Sequence, residues 1–192
     1  MRLLLAMALL CAVLLGACGR DASKFKLTDV TGANFGKTLE LNDHTGKRRT
    51  LADFNGKVVV LFFGFTHCPD VCPTTMVELA NVARELGPDA VRLQVLFVTV
   101  DPERDTPQVL RQYVPSFYPT FLGLHGTLEE TTRATKEFKI YFQKQTPPGG
   151  SYSVDHSAGT YILDPQGRLR LFAQYGAGAP VLLHDIRLLL AQ

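Results

Sequence analysis

After Lys57 the chain runs Val-Val-Val-Leu-Phe-Phe-Gly-Phe to Phe65 without one polar side chain. A strand with one wet face alternates apolar and polar residues. A run apolar at every position, rich in β-branched and aromatic side chains, is a strand buried on both faces. Such a strand needs layers above and below it, so an α/β fold is expected. Residues 91–100, apolar but for Arg92, Gln94 and Thr99, read as a second buried strand and end at Asp101-Pro102-Glu103-Arg104-Asp105.

The rest of the pattern fits around those two strands. Residues 37–51 read as a hairpin: Leu39-Glu40-Leu41 alternates, and Asn42-Asp43-His44-Thr45-Gly46 turns. Residues 74–86 are helical, with Met76, Leu79, Ala80, Ala83 and Leu86 on one face, and Gly87-Pro88 stops them. Thr106 has the look of an N-cap, with Pro107 at the first helical position. A short strand (121–124), a helix (128–138) and a loop (143–153) carrying Pro147-Pro148-Gly149-Gly150 follow. A second hairpin, 159–163 with 168–173, turns on Asp164-Pro165-Gln166-Gly167, a type I sequence, and residues 180–191 close the chain as a helix. This is the order of a thioredoxin-like fold: a central mixed sheet flanked by helices, with an N-terminal β-hairpin, in one domain over residues 25–192.

The first residues read as an address. Met1-Arg2 is a short basic start, and residues 3–15 are apolar but too few to span a bilayer comfortably. Leu15-Gly16-Ala17-Cys18 resembles a bacterial lipobox, cut before a cysteine that takes up a lipid. Residues 1–17 are then a lipoprotein signal peptide, Cys18 is the lipidated residue, and residues 18–24 are a polar tether. The mature domain is expected on the extracytoplasmic, periplasmic face of a bacterial membrane. Cleavage removes Arg2 and leaves 19 basic against 18 acidic residues, a net charge of +1. The basic residues are scattered and no aromatic–basic stripe appears, so nucleic acid is not a partner.

Cleavage also removes Cys11, and lipidation occupies Cys18, so Cys68 and Cys72 keep the free thiols. A disulfide between residues four apart closes too small a loop to stabilise a fold much, so the pair is functional. Following a buried strand, at the start of the next helix, it sits where N–H groups and the helix dipole favour thiolate. Pro69 and Pro73 cannot share one regular first turn. Cys68 is therefore expected on a loop and Cys72 near the N-cap, with Pro73 at the first helical position. Three residues separate the cysteines, one more than in thioredoxin-type motifs. The sulfurs are close enough either to oxidise or to chelate, and spacing alone does not choose.

His156, in Asp155-His156-Ser157, lies just before the strand at residue 159, at the edge that the expected fold turns toward the same junction. Two thiolates and an imidazole suit soft or borderline metals: copper by intrinsic affinity, as Cu(I) or Cu(II), or zinc with a water in the fourth place. Asp155 or a nearby carbonyl can orient the ring. His44 (turn), His125 (loop) and His184 (last helix) read as solvated or structural. His67, beside Cys68, is balanced between tuning a thiolate and pointing away. Asp70, Asp101 and Asp105 are either an acidic docking rim or caps of helices and turns.

Three separated motifs then carry a resemblance over residues 25–192. They are Phe63-Gly-Phe-Thr-His-Cys-Pro-Asp-Val-Cys-Pro73, Val100-Asp-Pro-Glu-Arg-Asp-Thr-Pro107, and Val154-Asp-His-Ser157 with Tyr161-Ile-Leu-Asp-Pro165. Together they resemble the Sco/SenC family of membrane-tethered copper chaperones that assemble the CuA centre of cytochrome c oxidase. The resemblance implies that Cys68, Cys72 and His156 hold copper, and that the partner is the CuA domain of oxidase subunit II, with an upstream periplasmic copper donor. Thiol-disulfide activity also occurs in the family. A metallochaperone is thus the leading expectation, and a reductase keeping the CuA-site cysteines reduced is the alternative. A peroxidase of the same fold is weaker, because no separate peroxidatic cysteine is present.

Overall fold

A computed structural model describes residues 24–146 and 151–192. The expected signal peptide, Cys18, all of the tether but Lys24, and Pro147 to Gly150 lie outside the described residues.

Eight strands form one mixed sheet. In chain order they are β1 (Thr28–Asp29), β2 (Glu40–Asp43), β3 (Arg48–Thr50), β4 (Val58–Gly64), β5 (Leu93–Thr99), β6 (Leu122–His125), β9 (Gly159–Leu163) and β10 (Leu169–Gln174). Across the sheet the order is β1-β10-β9-β4-β5-β6-β2-β3. The helices are α1 (Val71–Leu86), α2 (Pro107–Phe117), α3 (Leu128–Glu137) and α4 (Ala179–Leu190). This is the thioredoxin-like α/β architecture with its hairpin, β2–β3, at one edge.

β4 is central and every residue in it is buried. It runs parallel to β5 and antiparallel to β9. Its pleat divides the core in two. Val58, Val60 and Phe62 pack on one face with Met76 and Leu79 of α1, Leu110 of α2 and Ile186 of α4. Val59, Leu61, Phe63 and then Phe65 pack on the other face with Ala134 of α3 and Phe138. Each such side chain contributes roughly 1.5–3 kcal/mol by burial.

The strand at 91–100 is shorter than expected, because Gly87–Arg92 is a 3-10 turn leading into β5. Asp164 holds the β9–β10 turn as the sequence implies: Gly167 N donates to its carbonyl at 2.8 Å, and Oδ1 accepts from Gln166 N and Arg168 N. The loop expected at 143–153 is corrected at both ends. β7 (Phe142–Gln145) and β8 (Ser153–His156) pair as a separate two-stranded ribbon. Its residues are mostly exposed, so no apolar period marks it in the sequence.

Candidate metal centre

The polypeptide leaves β4 at Gly64 and turns sharply, Cys68 N donating to Phe65 O at 3.2 Å. Buried Asp105 fixes this turn: it accepts from Thr66 N at 3.0 Å, Thr66 Oγ1 at 2.6 Å and Thr99 Oγ1 at 2.6 Å. Helix α1 starts with Asp70 as N-cap and Val71 as its first residue. Pro73 is therefore the third helical residue, not the first. It is tolerated because an N–H in the first turn has no intrahelical acceptor.

His156 arrives from the other side of the sheet. Because β9 runs antiparallel to β4, with Thr160 opposite Phe62, the residues just before β9 lie beside the end of β4. β8 ends there, with His156 in register with Phe142. The donor atoms of Cys68, Cys72 and His156 all lie within 4.8 Å of one another. Cys72 N donates to Cys68 Sγ at 3.4 Å, and Cys72 Sγ is 3.7 Å from His156 Nε2. A metal about 2.3 Å from sulfur and about 2.0 Å from nitrogen keeps its donors roughly 3.5–4 Å apart, so the cluster fits a single ion with little movement.

Local packing sets the chemistry of each donor. Cys72 is buried and Cys68 half-buried, and both are free thiols. Gly64 leaves room for the inner sulfur: a Cβ there would stand 2.9 Å from Cys72 Sγ. Burial pushes the Cys72 thiol up, the Cys68 sulfur adds to this, and a hydrogen bond from the Phe65 backbone opposes it. The sequence expectation that the helix N-terminus favours thiolate is thus overturned at Cys72, where desolvation wins in the metal-free site. His156 packs edge-on against Phe65, the ring centroids 5.8 Å apart. Burial lowers its pKa, against a hydrogen bond to Ser157 O and the charge of Asp155. The ring is neutral at pH 7, and Nδ1 lies 3.0 Å from Ser157 O. Nδ1–H donates to that carbonyl, which leaves the Nε2 lone pair facing the sulfurs.

Other candidates lie elsewhere. His67 is exposed, with Nδ1 3.2 Å from Thr66 Oγ1, and is not in the cluster. His44 is buried and accepts from Gly123 N at 3.0 Å, a structural role. His125 belongs to β6 rather than a loop, and His184 lies beside Asp185 on α4. The acidic rim loses two of its three members: Asp105 is fully buried and Asp101 nearly so, and only Asp70 is exposed. Asp101 accepts from Arg104 Nε and Tyr152 Oη.

Arg104 is the residue that sequence reasoning missed. Its guanidinium stacks on Tyr152 at 3.8 Å, lies 5.8 Å over the Phe65 ring, and donates to Tyr152 O at 2.9 Å. Lys144 pairs with Glu103 at 2.6 Å. These contacts latch the β7–β8 ribbon, which carries His156, to the turn after β5. The Asp-Pro-Glu-Arg-Asp stretch was the available signal, since so many charges at the end of a buried strand must be satisfied somewhere.

Known proteins resemble the chain in sequence and in fold. The chain is 44% identical over 140 residues to "Protein SCO2 homolog, mitochondrial" of Danio rerio, covering 71% of this chain and 49% of that one. The chain thus spans about half the length of the curated relatives it matches. The solved structure of Bradyrhizobium japonicum ScoI with copper bound superposes with a TM-score of 0.74 at 36% identity, over 80% of this chain and 98% of that one. Apo Sco1 from Thermus thermophilus superposes with a TM-score of 0.76 at 38% identity, over 87% and 99%. The model of one family matches residues 27–191, from before β1 to the end of α4 and across all three converging side chains. The chain belongs to the SCO1/SenC family.

Proposed function

We propose that the chain is a membrane-anchored copper metallochaperone that delivers copper to the CuA site of cytochrome c oxidase subunit II. The observation that carries this reading is the convergence of two thiols and one imidazole within 4.8 Å. Cys68, Cys72 and His156 hold the copper cargo, which an upstream periplasmic donor supplies. The relative solved with copper bound supports the choice of metal. Cys68 and His156 are only half-buried, so a competing thiolate of the partner can enter and take the ion by ligand exchange.

The signal peptide (1–17), the lipid on Cys18 and the tether (18–24) place the domain (25–192) on the periplasmic face of the membrane. No helix among the described residues is long and apolar enough to cross a bilayer.

Anaerobic titration with Cu(I) and Cu(II) tests the site. The parent is expected to bind one copper, with a thiolate-to-copper charge-transfer band for Cu(II). The double variant Cys68→Ser/Cys72→Ser is expected to lose both. Binding by His156→Ala as tight as the parent's would refute the three-ligand site.

A second reading, thiol-disulfide reductase, is favoured by one contact, that of Cys72 N–H with Cys68 Sγ. The more exposed Cys68 thiolate attacks a disulfide of the oxidase subunit, and Cys72 resolves the mixed disulfide. The target leaves with two thiols, and Cys68–Cys72 becomes the disulfide.

A further inference from the structure

A cavity of about 590 Å³ lies far from the copper ligands, between residues 31–37 and the start of β10. Ala33, Phe35 and Leu169 give it an apolar floor, and Lys37, Arg168 and Arg170 stand around it. Lys139 adds a fourth cation, its Nζ 5.1 Å over the Phe35 ring. Lys139 is also the only described non-glycine residue with a positive φ, 53°. A lysine is thus held where glycine or asparagine would be less strained.

Three carboxylates, those of Asp164, Glu137 and Asp29, stand among these four cations. Arg168 and Arg170 share one carboxylate, that of buried Asp164. Glu137 accepts from the backbone N of Lys37, and Asp29 accepts from Thr31 N. Among the described residues, neither the Lys37 nor the Lys139 side chain forms an ion pair. The two arginines are engaged within the domain, Arg168 by Asp164 and Gln166 and Arg170 by Asp164, Thr31 and Gln192, so the two lysine ammonium groups beside the apolar hollow are the cations left for an anion from outside.

The start of the domain lies at the same place. Buried Asp185 pins the backbone N–H groups of Lys26 and Leu27 at 2.8 to 3.0 Å. Phe25 lies under Arg170, 5.6 Å from ring centroid to guanidinium, and Arg170 also lines the cavity. Only seven residues, Cys18 to Lys24, separate this point from the proposed lipid. Fully extended they reach about 25 Å, so the cavity cannot stray far from the headgroups.

We propose that this basic cavity is the membrane-facing surface of the domain, and that it takes an anionic phospholipid headgroup from the bilayer carrying the Cys18 anchor. The proposal rests on the lipid-anchor reading. It also sets an orientation. The turn after β9 flanks the start of β4, Gly56 N donating to Pro165 O at 2.8 Å, whereas the cysteines follow the other end of that strand. Seven strand residues span about 23 Å. With the cavity on the headgroups, the copper ligands face away from the membrane, toward a partner's extramembrane domain.

The test uses the mature chain from residue 18 with Cys18→Ala, so that no lipid masks weak binding. Cosedimentation is measured with phosphatidylcholine vesicles, with and without phosphatidylglycerol. Partition is expected to be about tenfold stronger onto the anionic vesicles at low salt, and Lys37→Glu/Lys139→Glu should abolish that preference, each lysine being worth roughly a fivefold change. Lys47→Glu/Arg92→Glu, which alters equal charge elsewhere, should leave it intact. Absence of any preference, its survival in the first variant, or equal loss in the second would overturn the proposal. Copper titration of both variants should match the parent, which keeps this test separate from the copper reading. The mass of the full chain extracted from membranes reports the Cys18 lipid independently.

Discussion

Cys72 Sγ lies 3.7 Å from His156 Nε2 across 84 residues of sequence. The imidazole arrives with its Nδ1 proton engaged by Ser157 O, and so offers a lone pair to a metal without rearrangement. Nitrogen matters more to Cu(II) than to Cu(I), for which two thiolates go far. His156→Ala is therefore expected to weaken Cu(II) binding by about a hundredfold or more, and Cu(I) binding clearly less. Dithiol exchange should stay within about threefold of the parent. Chelator competition for each oxidation state, beside a disulfide-reduction assay, checks this; equal losses for both ions would contradict it.

Burial holds the Cys72 proton on the free site, because its thiol is pushed above its ordinary value. Copper binding must displace that proton, so affinity rises with pH, by at least about tenfold per unit while the thiol is protonated. His156, whose pKa is lowered, is already neutral above about pH 6.5 and adds no proton there. Calorimetric titration in buffers of different ionisation enthalpy should show at least one proton released per copper at pH 7. Release of none would mean that the metal-free site is already a thiolate.

Asp105 is a second point of control. Its carboxylate, fully buried, ties Thr66 of the cysteine loop to Thr99 of β5 through three hydrogen bonds. Asp105→Ala strands three donors in the core and is expected to destabilise the domain by about 3 kcal/mol or more. Thr99→Ala removes one of the three bonds, and with it the bond that Thr99 Oγ1 accepts from Asp101 N, and should cost about 1–2 kcal/mol. Urea unfolding of both measures the difference, and equal losses would show that the carboxylate does not hold the loop.

How much of this was legible beforehand depended on where each element takes its stability. β4 and β5 are read from sequence because burial on both faces leaves no polar position in the first and few in the second. The turn at Asp164 is local chemistry and is equally plain. The β7–β8 ribbon is not, since Phe142-Gln-Lys-Gln145 is mostly exposed and the ribbon is held through Tyr152 and Lys144 to Arg104 and Glu103, about forty to fifty residues away in sequence. The cysteine pair stood out by elimination, but His156 joins it only through the antiparallel placing of β9 beside β4. No spacing rule carries that information: the expected fold order makes His156 a candidate, and the family resemblance implies that it is a ligand. For Asp101 and Asp105 the sequence leaves a docking rim and a turn-holding role open for the same reason, and their buried donors select the second.

Asp43 gives a titration signature separate from the metal site. Burial raises its carboxyl pKa, but bonds from Thr45, Arg49 and the Thr45 and Lys47 backbone outweigh this and hold it at about 2. A folded value below the unfolded one, near 4, means that the carboxylate stabilises the fold above pH 4 and stops doing so as pH falls toward 2. The contribution is about 2 kcal/mol at neutral pH. Asp43→Asn should therefore be less stable than the parent by roughly that amount at pH 7, with the gap closing in acid. Unfolding at a series of pH values measures it, and a gap independent of pH would assign the effect to shape rather than charge.

Gly64 connects packing to the copper site most directly. A Cβ there would meet Cys72 Sγ at 2.9 Å and the Phe62 and Phe97 rings at 3.1 Å each, all of them enclosed by core. Since β4 is central and its neighbours are fully packed, the added methyl cannot be absorbed by a flexible side chain. Gly64→Ala is expected to cost about 1–3 kcal/mol of stability by overpacking. It should also push the inner sulfur off its position. The charge-transfer band of the Cu(II) complex should shift or broaden even where the variant is folded, because that band depends on the sulfur–copper geometry. Thermal unfolding and the absorption spectrum, measured on one preparation, check both halves. An unchanged band in a destabilised protein would mean that the sulfur reaches its place by a path that does not depend on the space Gly64 leaves.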